Sequence, residues 1–453
     1  MKSLTNFKIH PHHSIKKALE KIEKNKHGII LIVDKSNRVL GVATDGDIRR
    51  KLLDNFSLSD PIKSCMNQDF TYADSSTSRE SVIKHFDNKK SLIPVLDLKG
   101  TLQNIYTESN FPVQIERVNY SRSKAPVRIS FGGGGSDLTH FFSTYKGAVI
   151  NATISLHSHA VLKKRDDKKV IISSADLNSE IRASSLNAAL KRKSNLSLIQ
   201  SVIRLINPDF GFELHVYSDF PASSGLGGSA AVSAAILGCF NEFKSDPWTN
   251  YEMAEIAYQA ERISLKISGG WQDQYACTFG GFNFMEFTLE DNLIHPIRLS
   301  DKIKFALEES LILCDTGISH NSGQIHDDQK IVMSEKKINA LVQQNVINTN
   351  KIKNAILKGD LENFAILLDA AWNFKRKFSS KISNKKLDKI YTDAKKNGAL
   401  GGKLLGAGGG GFFIFFVKPF NRSQLTNFLK SKKLNIVNFT FDDTGLQSWK
   451  FRE

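Results

Sequence analysis

Between residues 14 and 106 the apolar and polar positions run through one order twice. The stretch "SIKKALEKIEKN" spaces its apolar residues along one helical face. "GIILIVD" is a short continuous apolar run suited to a buried strand, and "RVLGVATDGDIRRKLLD" reads strand, turn, helix. After a spacer, "TSRESVIKHFDNKK", "SLIPVLD" and "GTLQNIYTESN" repeat that order, which predicts a pseudo-symmetric pair of helix-strand-strand units over residues 1–115. The polar "VQIERVNYSRSK" follows, with a linker expected at 116–123. Next, β-type residues 127–131 feed four consecutive glycines, and the strand-like "FELHVYSDF" leads into "PASSGLGGSAAVSAA". Two helical stretches come after it, "AAVSAAILGCFNEF" and "YEMAEIAYQAERISLK". A third glycine cluster, "GALGGKLLGAGGGGFFIFFV", ends in the wholly apolar Phe412–Val417, expected to be a buried strand.

Composition narrows this picture only a little. The 453 residues suggest two or three domains, and 41% hydrophobic with 24% charged residues is ordinary for a globular protein. No apolar run approaches the ~20 residues of a membrane helix, and "MKSLTNFKIH" lacks a signal peptide's apolar stretch, so a cytoplasmic location without membrane association is expected. The four cysteines lie far apart and form no C-x-x-C pair, which argues against a zinc site or a disulfide framework. The formal charge of +16 comes from lysines spread along the chain, with no compact basic helix. A nucleic-acid partner is therefore not expected, and the sign suits phosphorylated small molecules or simply a solvated surface.

The N-terminal repeat resembles a CBS-domain pair. Its "GVATDGDIRR", residues 41–50, looks like the version found beside sugar nucleotidyltransferases. That resemblance implies an adenine nucleotide held by Thr44 and Asp47 at a strand-to-helix turn, where the helix start favours an anion. It also implies a homodimer. The second copy ends "IYTESNF", without an aspartate-led helix start, so at most one nucleotide site is expected, and a packing module without ligand suits the same residues.

The central glycine loop carries more chemistry. The backbone N–H groups of Gly225, Gly227, Gly228 and Ser229 can converge on an anion, and the following helix adds its positive end. Residues 225–230 also fit G-x-G-x-x-A, but the second strand of a dinucleotide-binding unit is replaced by another helical stretch. A Walker A loop is excluded because no Lys-Ser/Thr follows the glycines. Two acids come next: Glu261 near the end of a helical stretch and Asp273 in "SGGWQDQYACTFGGFNF". Phosphoryl transfer needs hard oxygen ligands for Mg²⁺ and a group that orients the attacking hydroxyl. Ser229 with Glu261 suits the first need and Asp273 the second.

The order of "APVRIS", "GLGGSAA" and "GAGGGGF" resembles the GHMP kinase superfamily over about 330 residues, from Ser121 onward, as an order-of-magnitude span for a three-motif match. The phrases "RISFGGGGSDL", "GAVINATI", "QDQYACTFGGFNFMEF" and "SSKISN" are similar to those of its heptose 7-phosphate kinases. The resemblance implies an α+β fold: the CBS pair, an S5-like N-terminal lobe at 124–300 and a ferredoxin-like C-terminal lobe at 301–453, with ATP and a sugar phosphate between the lobes. Gly225, Leu226, Gly227, Gly228 and Ser229 would hold the ATP phosphates, and Ser229 with Glu261 would hold Mg²⁺. Asp273 would be catalytic, and Arg128 would neutralise the moving phosphoryl group. Asp137, Gly134, Gly135, Gly408 and Gly409 would bind the sugar.

The implied reaction phosphorylates an anomeric hydroxyl, most simply that of a heptose 7-phosphate, on the way to a nucleotide-activated sugar for surface polysaccharide. Another sugar, such as fucose or an unphosphorylated heptose, fits the same motifs. So does a nucleotide-sensing protein with an inactive kinase half, although such a protein has no reason to keep Arg128, Asp137, Ser229, Glu261 and Asp273 together. Two departures stand out. Gly228 replaces the first serine of Gly-Leu-Gly-Ser-Ser, and "TGISH" carries His320 where related heptose kinases commonly have arginine.

Overall fold

Backbone pairing sorts the strands into a three-stranded and a two-stranded sheet near the N-terminal end, and an eight-stranded and a four-stranded sheet beyond them. The computed structural model describes residues 4–74, 76–111, 119–221, 224–318, 323, 325, 327–328 and 336–451, and the contacts divide the chain into Met1–Arg117 and Val118–Glu453.

In the first unit, helix Ile15–Asn25 starts at Ser14, whose side chain accepts from the Lys17 N–H. The helix buries Ile15, Ala18 and Ile22 on one face, the spacing an amphipathic helix needs. Strands Ile29–Val33 and Val39–Thr44 pair antiparallel, and helix Asp45–Leu53 follows. The second half repeats helix Arg79–Asp87 and the antiparallel strands Ile93–Leu96 and Leu102–Tyr106. Leu31, Val33, Val39 and Val42 from the first half pack with Leu92, Leu96, Leu102 and Ile105 from the second, so each copy covers the apolar strand face of the other. Where the first half starts a helix after its last strand, the second closes a turn through Asn110 N–H donating to the Thr107 carbonyl at 3.0 Å.

The second unit is built on the long strand Gly147–Arg165, which pairs antiparallel with Tyr120–Gly132, Gly211–Ser218 and Phe282–Phe287. The alanine-rich helix Gly228–Asn241 lies against this sheet, and its small side chains set the distance. A Cβ on Gly238 would stand 3.2 Å from the Ser123 Cβ, while the Ser121 hydroxyl donates to the Cys239 carbonyl at 2.9 Å. The four-stranded sheet is wholly antiparallel, in the order Ala399–Leu404, Phe412–Val417, Leu311–Asp315, Asn435–Val437. Phe412–Val417 is buried throughout, as expected of an inner strand. Helix Leu361–Lys375 presses onto it so closely that a Cβ on Gly401 would fall 2.0 Å from the Ala365 carbonyl oxygen.

Two boundaries differ from expectation. Strand pairing starts at Tyr120, inside the expected 116–123 linker, because Ser121 and Ser123 point at the alanine-rich helix and are buried there. The last strand, Gln447–Phe451, does not stay with the C-terminal lobe. It returns to the larger sheet and pairs antiparallel with Tyr120–Gly132, Phe451 opposite Tyr120, covering an otherwise open edge. Among the described residues no helix is long and apolar enough to cross a membrane, and the four cysteines are buried and unpaired.

Candidate active site

The site begins where helix Gly228–Asn241 does. Its cap residue, Gly227, has φ +83° and Gly225 has φ +76°, a left-handed conformation that a side chain disfavours. Among the described residues no side chain caps the helix, which leaves its first N–H groups to a ligand in the cavity that Gly225, Gly227, Gly228 and Ser229 line. Leu226 does not join them. Its side chain is fully buried in the core, its N–H donates to the Ser224 hydroxyl at 3.4 Å, and its carbonyl accepts from the Arg128 N–H at 2.9 Å.

Arg128, on strand Tyr120–Gly132, is 3% exposed and faces the cavity. Its Nε donates to Asp273 Oδ1 at 2.8 Å, its Nη2 lies 2.7 Å from the same oxygen, and its Nη1 donates to the Gly225 carbonyl at 2.8 Å. The guanidinium expected to meet a moving phosphoryl group is thus shared between Asp273 and the loop. Asp273, in the first turn of helix Gln272–Phe279, packs directly on Gly227: a Cβ there would stand 3.3 Å from the Asp273 Cγ.

Asp137 lies across the cavity and is buried. It accepts from the Gly135 N–H at 3.1 Å and from Gln272 Nε2 at 3.2 Å. Burial first, and then the nearby charge of Asp273, hold its carboxyl above the usual carboxylate range. Gly270 lets it sit there, since a Cβ would collide with Asp137 Oδ2 at 1.8 Å. Gly134 and Gly135 line the same wall.

Glu261 is presented by an unexpected device. Helix Asn250–Tyr258 continues as a π-helical turn, Gln259–Ser264, whose wider winding turns Glu261 inward to 5% exposure. The Ser201 hydroxyl satisfies the Ala260 carbonyl in that turn at 2.8 Å. The Ser229 hydroxyl donates to Glu261 Oε1 at 2.6 Å, and Gln274 Nε2 donates to Oε2 at 3.1 Å. Among the described residues no group of three His, Cys, Asp or Glu gathers to hold a metal. The hydroxyl and carboxylate fit a cation that takes hard oxygens and keeps its other positions for water and phosphate, the habit of Mg²⁺.

The cavity measures about 540 Å³, and Leu177, Leu198, Ile199, Val216 and Val232 make up an apolar arm of its lining. On its wall, Ser130 Oγ, Gln272 Oε1 and Arg262 Nε are buried without a hydrogen-bond partner among the described residues, as expected where a ligand completes the polar set.

Several residues fall elsewhere than expected. Gly408 and Gly409 are absent from the cavity lining. A Cβ on Gly408 would be 2.8 Å from the Ile382 Cα, and the Gly409 N–H donates to the Ile382 carbonyl at 2.9 Å, so these glycines serve backbone packing. From the same cluster it is Gly406 and Ala407 that reach the cavity, Gly406 lying against Gly225. His320 lies outside the described residues. In the first unit Thr44 and Asp47 stand at the expected strand-to-helix turn, where they also bond each other: Thr44 caps helix Asp45–Leu53, and Asp47 Oδ2 accepts from the Thr44 N–H at 2.9 Å and its hydroxyl at 2.6 Å, a capping box.

The lysine that the motifs did not suggest is Lys375, at the end of helix Leu361–Lys375. It lines the cavity at 6% exposure, with Nζ bonded to the Gly406 carbonyl. A signal existed: Lys375 follows the fully buried Trp372 by three residues and so shares its inward face. Ser130 was legible in the same way, two residues beyond Arg128 on one strand face.

Comparison with known proteins agrees with this geometry. Residues 196–281 match the GHMP kinases N terminal domain, 352–435 the GHMP kinases C terminal domain, and 4–54 a CBS domain. The chain is 38% identical over 338 residues to the D-glycero-alpha-D-manno-heptose 7-phosphate kinase of Campylobacter jejuni, covering 73% of this chain and 98% of that one. It is 26% identical over 400 residues to the L-fucokinase/L-fucose-1-P guanylyltransferase of Bacteroides fragilis, spanning 40% of that protein. The structure of a D-glycero-D-manno-heptose 1-phosphate kinase from Bacteroides thetaiotaomicron superposes with a TM-score of 0.61 at 30% identity, over 74% of this chain and 100% of the other. Such agreement between motif order, cavity and relatives places the chain in the GHMP kinases, as an ATP-dependent phosphotransferase with a CBS domain at its N-terminal end.

Proposed function

We propose that the chain transfers the γ-phosphoryl group of ATP to the anomeric C1 hydroxyl of D-glycero-D-manno-heptose 7-phosphate, giving the 1,7-bisphosphate. The observation that carries this reading is the Arg128–Asp273 pair, which stands against Gly227 of the phosphate loop with Asp137 across the cavity. The two heptose kinases agree on the sugar and differ in the phosphate their names cite, at position 7 in one and position 1 in the other. A 1,7-bisphosphate carries both.

The apolar arm suits the adenine ring, and the uncapped first turn of helix Gly228–Asn241 suits the phosphates. Mg²⁺ held by Ser229 and Glu261 would supply charge neutralisation at the phosphate oxygens. Asp273, clamped by Arg128, orients the C1 hydroxyl and accepts its proton as the O1–P bond forms and the bond between the β and γ groups breaks, releasing ADP. An anomeric hydroxyl is more acidic than an ordinary alcohol, so orientation outweighs proton abstraction. Asp137 and the backbone at Gly134 and Gly135 hold sugar hydroxyls.

The test incubates the purified chain with Mg-ATP and a panel of D-glycero-D-manno-heptose 7-phosphate, fucose, galactose and mannose. ADP release is followed, and products are read by phosphorus NMR. A heptose 1,7-bisphosphate signal is expected. Phosphorylation of a free sugar, with the 7-phosphate untouched, would discard the heptose and keep the kinase.

A further inference from the structure

Lys375 is an ammonium in an unusual position. It is 6% exposed and lines the cavity, and the Gly406 carbonyl is its one hydrogen-bond partner among the described residues. Among the described residues no carboxylate lies within ion-pair distance of it. An ammonium carries three donors, so two remain unused in a place where water is largely excluded. Its location is specific. Gly406 lies against Gly225, the first glycine of the phosphate loop, and a Cβ on Gly134, on the sugar side, would stand 3.9 Å from Lys375 Nζ. Nζ therefore sits between the loop assigned to the donor and the wall assigned to the acceptor. Arg128, the cation the motifs suggested for the transition state, already commits three of its five N–H donors to Asp273 and the Gly225 carbonyl and is neutralised by the Asp273 carboxylate, whereas Lys375 has no such counter-charge in contact among the described residues.

We propose that Lys375 is a catalytic residue that donates to the oxygens of the γ-phosphoryl group during its transfer, while Arg128 acts as a positioning residue for Asp273. This rests on the kinase reading and adds the cation that the transfer uses. A preorganised donor held in a dry site stabilises developing charge without reorganisation, which makes a desolvated ammonium with spare donors effective there. Four charged groups face it: Arg128 from strand Tyr120–Gly132, Asp137 from the loop beyond that strand, Asp273 from helix Gln272–Phe279 and Lys403 from strand Ala399–Leu404. Burial and then Arg128 bring its pKa down to about 8, against the opposing pull of Asp137 and Asp273. It is protonated below that pH and loses its charge above it. Lys403, fully enclosed with Nζ donating to the Ser130 carbonyl at 2.7 Å, is pushed well below the usual lysine value, by burial and then by Lys375.

The test has two arms. In the first, the lysine side chains are labelled with carbon-13 at Cε, and the Lys375 resonance, assigned by its loss in K375R, is titrated by NMR without any sugar. A midpoint near pH 8 is expected in the free protein, moving up by about one unit or more with Mg²⁺ and a non-hydrolysable ATP analogue, because an anion then faces the ammonium. A midpoint that the nucleotide leaves unmoved overturns the proposal. In the second arm, steady-state kinetics use whichever panel sugar the wild-type protein phosphorylates. K375M should lower kcat by ~100-fold with the KM for ATP within about threefold, the loss typical of one transition-state donor. K375R should retain more turnover and lose the fall in kcat/KM above about pH 8. A K375M kcat within threefold of wild type, or an unchanged basic limb in K375R, sinks the idea. Because the first arm needs no acceptor and the second is not tied to heptose, a wrong sugar and a wrong lysine give different results.

Discussion

Two glycine-rich segments of this chain look alike as text and do different things. In the loop holding Gly225 and Gly227, left-handed glycines turn the backbone so that N–H groups face a cavity; what lies opposite Gly227 is the Asp273 side chain, while Gly225 rests on the backbone of Leu405 and Gly406. In the segment holding Gly408 and Gly409, glycines with φ of +117° and +75° bring the backbone against Ile382, and what lies opposite is another stretch of main chain. Space for a ligand and space for a neighbouring backbone call for the same residue. Glycine density alone therefore does not separate the two uses, whereas a place in the cavity wall does: Gly225 and Gly227 have one, and Gly408 and Gly409 do not.

Substitutions can pull the two segments apart. The largest effect is expected opposite the first: D273N should lower turnover by ~1,000-fold while leaving ATP affinity within about threefold, since the group acts on the acceptor. Near-normal turnover would remove Asp273 from the mechanism. Next comes G408A, which combines a left-handed conformation with a Cβ 2.8 Å from the Ile382 Cα and should cost about 3 kcal/mol of stability in a urea titration. A variant as stable as the parent but short of turnover would mean that the segment serves the sugar after all. G227A comes third. Its Cβ meets the Asp273 carboxyl at 3.3 Å, so turnover should drop by roughly tenfold, with about 1 kcal/mol of strain in the left-handed region. A large loss of stability at unchanged turnover would reverse the contrast. The smallest effect is expected from S229A, which should raise the Mg²⁺ concentration needed for half-maximal rate by about fivefold, roughly the worth of one hydrogen-bonding ligand. An unchanged Mg²⁺ dependence would take Ser229 out of the cation site.

The legible part of this molecule was its order of motifs. Residues far apart in the chain, Arg128 on a strand, Asp137 in the loop beyond it, Glu261 in a helical turn, and Ser229 and Asp273 in the first turns of helices, meet around one cavity. The π-helical turn under Glu261 was not readable, since one wider turn leaves the helical spacing of its apolar residues almost intact and shows itself only in which side chain swings inward. Lys375 was hidden by its type: lysine at a helix end normally marks a solvated terminus, and only its distance from Trp372 says otherwise. Thr44 and Asp47, read as nucleotide ligands, also carry the spacing of a capping box, and in the structure they bond each other at the helix start.

The return of Gln447–Phe451 to the larger sheet has a consequence for how the protein is made. Strand Tyr120–Gly132 leaves the ribosome before either of its partners, and one of its edges finds Gly147–Arg165 soon afterwards. Its other edge has to wait for Gln447–Phe451, translated long after it. At about 5–20 residues per second, that wait lasts on the order of tens of seconds. During it the nascent kinase unit presents an unpaired strand edge, the feature that invites association with other chains. The first unit has its own strands complete long before then, so synthesis delivers one finished domain ahead of a second whose sheet is sealed only when Gln447–Phe451 emerges.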